Sequence, residues 1–202
     1  MEMRDIFLDG LKILDLLELT GSTAVTAAWV NCDQSSVSRT YRRVSQELNL
    51  AFCKHGGRYT ARSNLALLTC LRQAAQMHRL SQGLQRLQWI SHTEPEHLAP
   101  WQPPCPPLPR SWDDADHSLE LLRRRVIDLA VMPANLAEAL RTEASRPGQS
   151  LEPISLLPLH SGNGLTALVL AELDHHNGLH AWLTAGNDRR AALPRILATA
   201  TA

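Results

Sequence analysis

The sequence predicts a mixed fold. A helix-rich first part is closed by a small hairpin, a long helix follows, and a partial α/β part completes the chain. Three observations predict it. Apolar residues recur every three to four positions through residues 5–48. Two short extended runs then flank Gly56-Gly57, and a stretch without proline continues to about residue 87. Beyond that, apolar runs with strand character alternate with short helical patterns.

Each element follows from its residues. Residues 5–19 read as a helix: Ile6, Leu8, Leu11, Ile13, Leu14, Leu16, Leu17 and Leu19 leave Asp5, Asp9, Lys12, Asp15 and Glu18 on a polar face. Gly21 suits the C-terminal cap of that helix and Ser22 the N-cap of the next, Thr23 to Val30, where Ala27 and Ala28 permit close packing. Asn31 to Gln34 forms a turn. Gln34 or Ser35 opens a third helix reaching about Leu48, with Val37, Tyr41, Val44 and Leu48 facing inward. Phe52-Cys53-Lys54 and Tyr59-Thr60 around the glycine pair make a hairpin. Ser63 to about Leu87 reads as one long helix, in which Leu71, Ala74, Met77, Leu80, Leu84 and Leu87 supply an apolar stripe.

The second half is less regular. Seven prolines between His92 and Trp112 exclude a long helix or a central strand there. Asp113 to Arg125 reads as a helix with acids in its first turn and arginines in its last, as the helix dipole favours. Val126 to Met132 reads as a buried strand ending at Pro133, and Leu136 to Ala144 as a helix. Glu152–Leu159 and Leu165–Leu170 are candidate strands around the turn Ser161-Gly162-Asn163-Gly164.

The chain has 202 residues, enough for one or two domains, and 44% hydrophobic residues, enough for a core. No apolar run is long enough to cross a membrane, and Met1-Glu2-Met3-Arg4-Asp5 is not a secretory leader, so a cytoplasmic chain is expected. Cys32, Cys53, Cys70 and Cys105 form no CxxC pair and read as reduced thiols. Twenty basic residues balance twenty acidic ones. The balance is uneven along the chain: residues 34–90 carry nine basic residues against the single acid Glu47. A basic first part and an acidic second part point to a polyanionic partner for the first.

Three helices and a glycine-turned hairpin make a winged helix-turn-helix arrangement. A helix fits the major groove of DNA, where its N-terminal side chains reach base edges. Here those are Gln34, Ser35, Ser36 and Ser38, followed by Arg39, Arg42 and Arg43; Arg58 lies on the wing. Serine and glutamine both donate and accept, and arginine grips phosphate or guanine. Arginines on a helix are more often a solvated face, and Ser35 alone could be a cap. The spacing, the serine-rich start and the wing act together against that alternative.

Residues 11–62 resemble the DNA-binding domain of LysR-type bacterial transcriptional regulators. The resemblance rests on Gly21-Ser22, Ala27-Ala28, the block Gln34-Ser35-Ser36-Val37-Ser38-Arg39, and Leu48-Asn49. Asn49 stands where glycine is usual, Val44-Ser45 replace Leu-Glu, and Cys53 and His55 depart from the family wing. The resemblance implies that Gln34, Ser35, Ser36, Ser38 and Arg39 lie at or near double-stranded DNA. It also implies that residues 63–88 form a linker helix pairing two chains through its apolar stripe, with assembly into tetramers left open.

Residues 89–202 are similar, in patches, to that family's periplasmic-binding-protein-like effector domain: Leu87 to Ser91 match an opening strand, Glu120 to Val131 a helix-then-strand signature, and Ile154 to Leu170 a strand pair. The family would continue into a second lobe, so a shortened domain is expected and small-molecule sensing is doubtful. Ser91 and Thr93 stand where the family often presents hydroxyls to an effector, although ordinary strand-end caps explain them better. The domains read as 1–62, 63–88 and 89–202. A dimeric DNA-binding regulator is the expected function; the alternative is an interaction protein that forms mixed dimers with a full-length relative. No nucleophile–base pair, phosphate loop or cofactor motif is evident, so no enzyme and no cofactor are expected. His175, His176 and His180 are interrupted by Asn177-Gly178 and suggest no metal site.

Overall fold

A computed structural model describes residues 8–82, 86–98, 105–110, 115–144, 153–159, 164–174, 179 and 183. The chain divides into two compact units, Met1–Met77 with Leu108–Asp113, and His78–Pro107 with Asp114–Ala202.

The first unit contains α1 (Leu8–Thr20), α2 (Thr23–Trp29), α3 (Gln34–Glu47), the hairpin β1 (Phe52–His55) and β2 (Arg58–Ala61), and most of α4 (Leu65–Ser81). The first three helices stop through the same chemistry. Gly21, Asn31 and Asn49 follow them with φ of 61°, 52° and 51°. Glycine and asparagine tolerate this left-handed region best. After α2, Asn31 N donates to Ala28 O and Cys32 N to Ala27 O; after α3, Asn49 N donates to Gln46 O and Leu50 N to Ser45 O. These paired bonds satisfy carbonyls that a helix end leaves open. Ser22 caps α2 as its residue type predicts, accepting from Val25 N at 3.3 Å. Gln34 opens α3; its N-cap is Asp33 rather than Ser35, and the Asp33 side chain makes no capping bond.

The core of this unit joins Leu11, Leu14 and Leu17 of α1 to Ala27, Val37, Val44, Phe52, Ala61, Leu68 and Ala75. A Cβ on Gly10 would lie 2.5 Å from Val44 Cγ2, so glycine is what lets α1 and α3 meet there. Tyr41, Phe52 and Tyr59 form an aromatic trio with centroids 5.7–6.1 Å apart, which seats the hairpin on α3. The hairpin register pairs Phe52 with Ala61 and His55 with Arg58. Gly56 and Gly57 both take positive φ at its tip.

The second unit holds β3 (Trp89–Ser91), α5 (Pro95–Leu98), α6 (Asp116–Arg123), β4 (Leu129–Pro133), α7 (Ala134–Ala144), β5 (Ile154–Pro158), β6 (Leu165–Leu170) and α8 (Ala171–Asp174). The strand order is β3-β4-β6-β5. β3 runs parallel to β4, while β6 runs antiparallel to both β4 and β5. β6 is buried along its whole length and β4 in all but Pro133, as central strands covered on both faces must be. α7 packs on β4, β5 and β6.

Several boundaries differ from the sequence reading. α4 spans Leu65–Ser81 and does not reach Leu87 as one helix. The division between units falls inside α4. β4 starts at Leu129, three residues later than expected. The residues between close α6: Arg125 N donates to Leu122 O, and Val126 N to Leu121 O. Arg125 sits at φ 56°, a conformation usual for glycine, and ion-pairs with Glu172 of α8. His175, His176, His180, the turn residues 161–163 and much of the proline-rich stretch lie outside the described residues.

Candidate nucleic-acid interface

One turn of an α-helix takes 3.6 residues, so α3 sorts its side chains by position. Val37, Val44 and Ser45 are buried. On the opposite side, Ser35, Arg39, Arg42, Arg43 and Gln46 are exposed, and Ser36 is half-buried beside them. Three cations thus share one helix face, and α3 holds no acid before Glu47.

The polar side chains are partly held in place. Arg39 Nη2 donates to Ser36 Oγ at 3.1 Å, which orients the guanidinium along the helix toward its N-terminus. Gln34 Nε2 donates to Thr23 Oγ1 at 2.7 Å and so ties the start of α3 to the start of α2. The Arg42 guanidinium lies 5.9 Å from the centre of the Tyr41 ring, a cation–π distance. Ser38 is half-buried on the flank of the helix rather than on its outward face. Arg58 is half-buried at the first position of β2. A groove of about 470 Å³ flanks Arg43, lined also by Asp9, Lys12, Trp29, Asn31 and Thr40.

The structure thus brings Ser35, Ser36, Arg39, Arg42 and Arg43 together on one surface of α3, with Gln34 and Ser38 at its margins, and puts Arg58 on the hairpin. Sequence reasoning missed Gln46, which falls four residues after Arg42 and seven after Arg39; that spacing is the signal for it. It also missed Thr23 as the partner of Gln34. Lys54 counts toward the basic window but is engaged inside the fold: Nζ donates to Gly21 O at 2.6 Å and lies 5.6 Å from the Tyr59 ring centre.

The apolar stripe expected on the linker helix divides. Ala74 and Met77 are exposed, Met77 at 50%. Leu71 packs against the first unit's core, and Leu80 and Leu87 are buried in the second unit's core. Leu84 lies outside the described residues. The expected stripe runs across two faces, because each step of three from Leu71 to Leu80 falls about 60° short of a full turn of the helix. The outward stripe instead follows Leu67, Cys70, Ala74 and Met77, at spacings of 3, 4 and 3.

In the second unit, Ser91 and Thr93 form a local cap. Ser91 Oγ donates to Thr93 O at 3.0 Å and accepts from Thr93 N at 3.1 Å. Among the described residues, no three His, Cys, Asp or Glu side chains gather as a metal site. No helix among them is long and apolar enough to cross a membrane.

No family model matches the chain, and no curated protein matches it. Solved structures are similar to it. ArgP from Mycobacterium tuberculosis is 19% identical over 74% of this chain and 52% of its own, with a TM-score of 0.37. A full-length OxyR variant from Pseudomonas aeruginosa is 15% identical over 75% of this chain and 55% of its own, with a TM-score of 0.40. The chain thus spans about half the length of the solved chains it matches.

Proposed function

We propose that the chain is a sequence-specific DNA-binding transcription regulator of LysR type that acts as a homodimer. The observation that carries this reading is the outward face of α3, where Ser35, Arg39, Arg42 and Arg43 are exposed together without an acid among them. Such a face supplies both kinds of contact that DNA recognition needs: arginines for phosphates and guanine edges, and hydroxyls for bases or backbone. The Gln34–Arg39 block, by which the sequence resembles the family, opens that same helix.

Dimerisation is the second part of the reading. Leu67, Cys70, Ala74 and Met77 give α4 an exposed, largely apolar stripe with no charged residue in it. Pairing through such a stripe would present two copies of α3 to half-sites about one helical turn apart. No effector is assigned, because the Ser91 hydroxyl serves its own loop.

The reading is tested by gel shift on the DNA flanking the gene, over a salt series. Specific retardation that weakens steeply with salt supports it, because each phosphate contact releases counterions. A chain that shifts no flanking fragment at low salt overturns it.

A further inference from the structure

Asp128 precedes β4 and is fully buried. Its carboxylate accepts from Arg79 Nε at 3.2 Å and from Arg79 Nη2 at 2.7 Å. It also accepts from the backbone N of Gln88 at 2.8 Å, and Asp128 N donates back to Gln88 O at 2.6 Å. One carboxylate therefore grips the last turn of α4 and the residue before β3 together. A two-pronged arginine–carboxylate contact fixes orientation as well as distance.

Arg79 lies in the final turn of α4, two residues beyond Met77 and next to Leu80, which enters the second unit's core. The end of a helix has open carbonyls, and in a folded protein most helical stability comes from tertiary packing. Met77 is half-exposed, so its own burial does little to hold that turn. The hold comes from its neighbours, and Asp128, through Arg79, is a polar part of it.

We infer that Asp128 is a positioning residue for self-association: through Arg79 it keeps the last turn of α4 helical and so keeps Met77 in line with Leu67, Cys70 and Ala74. This rests on the proposed pairing through α4. Asp128 touches neither DNA nor a partner chain in this scheme. Its effect passes through the helix end.

Asp128→Asn keeps the shape and removes the charge opposite Arg79. Hydrogen exchange on the full chain is expected to quicken about tenfold at the amides of residues 77–81, which is about 1.4 kcal/mol of lost protection, while residues 68–75 keep theirs. Sedimentation equilibrium is expected to show a dimer about tenfold weaker. Unchanged exchange at residues 77–81 overturns the inference, and so does faster exchange with undiminished self-association. If the Asn variant also loses protection in β4 and β6, Arg79→Lys takes its place, keeping the charge without the fork, and is read by the same two measurements. A wild-type chain that is monomeric overturns the pairing itself, whereas the exchange at residues 77–81 still reports whether Asp128 holds the helix end.

Discussion

Arg72 Nη2 of α4 lies 2.7 Å from Asp15 Oδ1 of α1, with each side chain at most 2% exposed. Glu18 Oε1 completes the contact at 3.0 Å. Burial works against the Arg72 charge, but Asp15 and Glu18 overcome it and raise its pKa. Removing the arginine alone would take its positive charge away from two buried carboxylates. Arg72→Met is therefore expected to destabilise the first unit by about 3–5 kcal/mol, measured by urea unfolding. Adding Asp15→Leu and Glu18→Leu should restore much of that loss, since apolar side chains carry no desolvation cost. A triple variant no more stable than Arg72→Met would contradict this account.

Gly10 is a matter of space. Alanine there would press its methyl against Val44, a stiff side chain with nowhere to swing. Gly10→Ala is expected to lower stability by about 1–3 kcal/mol through overpacking, even though alanine favours a helix. The pair Gly10→Ala with Val44→Ala should be less harmful than the sum of the two. Additive thermal denaturation data would rule out the contact as the cause.

Arg39 is exposed and oriented by Ser36, so its truncation should leave the fold intact. If the side chain reads a base, Arg39→Ala is expected to cost about 1–3 kcal/mol in site-specific binding and to relax preference at one base pair. Arg42→Ala and Arg43→Ala, as phosphate contacts, should weaken binding to all sequences alike and shallow the salt slope. Binding isotherms on the operator and on scrambled DNA separate the two patterns.

Glu120 has a lowered pKa, chiefly because His117 Nδ1 shares a 3.1 Å hydrogen bond with its carboxylate, with Arg124 adding to the effect. A carboxyl whose folded pKa is depressed stabilises the fold above the unfolded value of about 4.3. That stabilisation is lost as pH falls through the lower folded value. The side chain is 54% exposed, so the effect is small, below about 1 kcal/mol. Glu120→Gln should thus lower Tm slightly at pH 7 and by less at pH 3. An equal loss at both pH values would mean that charge is not involved.

The first unit was largely legible in the residues. Gly21 and Ser22 announced the step from α1 to α2, and the glycine pair announced the hairpin. The spacing of Val37 and Val44 placed the inward face of α3. Such signals are local, because caps, turns and periodicity act within a few residues. What sequence could not give was partnership at a distance. Lys54 looked like one more surface cation, yet it caps a carbonyl 33 residues away. Arg72 and Arg79 also counted toward the basic window, and both meet carboxylates inside the protein. Leu80 and Leu87 looked like parts of one exposed stripe until the second unit's core claimed them. Arg125 shows the same limit for the backbone, since nothing about arginine foretells a left-handed turn.

The aromatic trio has a spectroscopic consequence. Tyr41 belongs to α3, whereas Phe52 and Tyr59 belong to the hairpin, whose two rings stack at 15°. The chain contains only two tyrosines and two phenylalanines, so ring currents from these three fall on a small set of nearby protons. Their shifts in a proton NMR spectrum form a built-in gauge of docking. If the hairpin swings away from α3 when the chain engages a ligand, the shifts that depend on Tyr41 lying against Phe52 and Tyr59 change, while those from the Phe52–Tyr59 stack persist. If the two move as one rigid reader, all of them stay where they are.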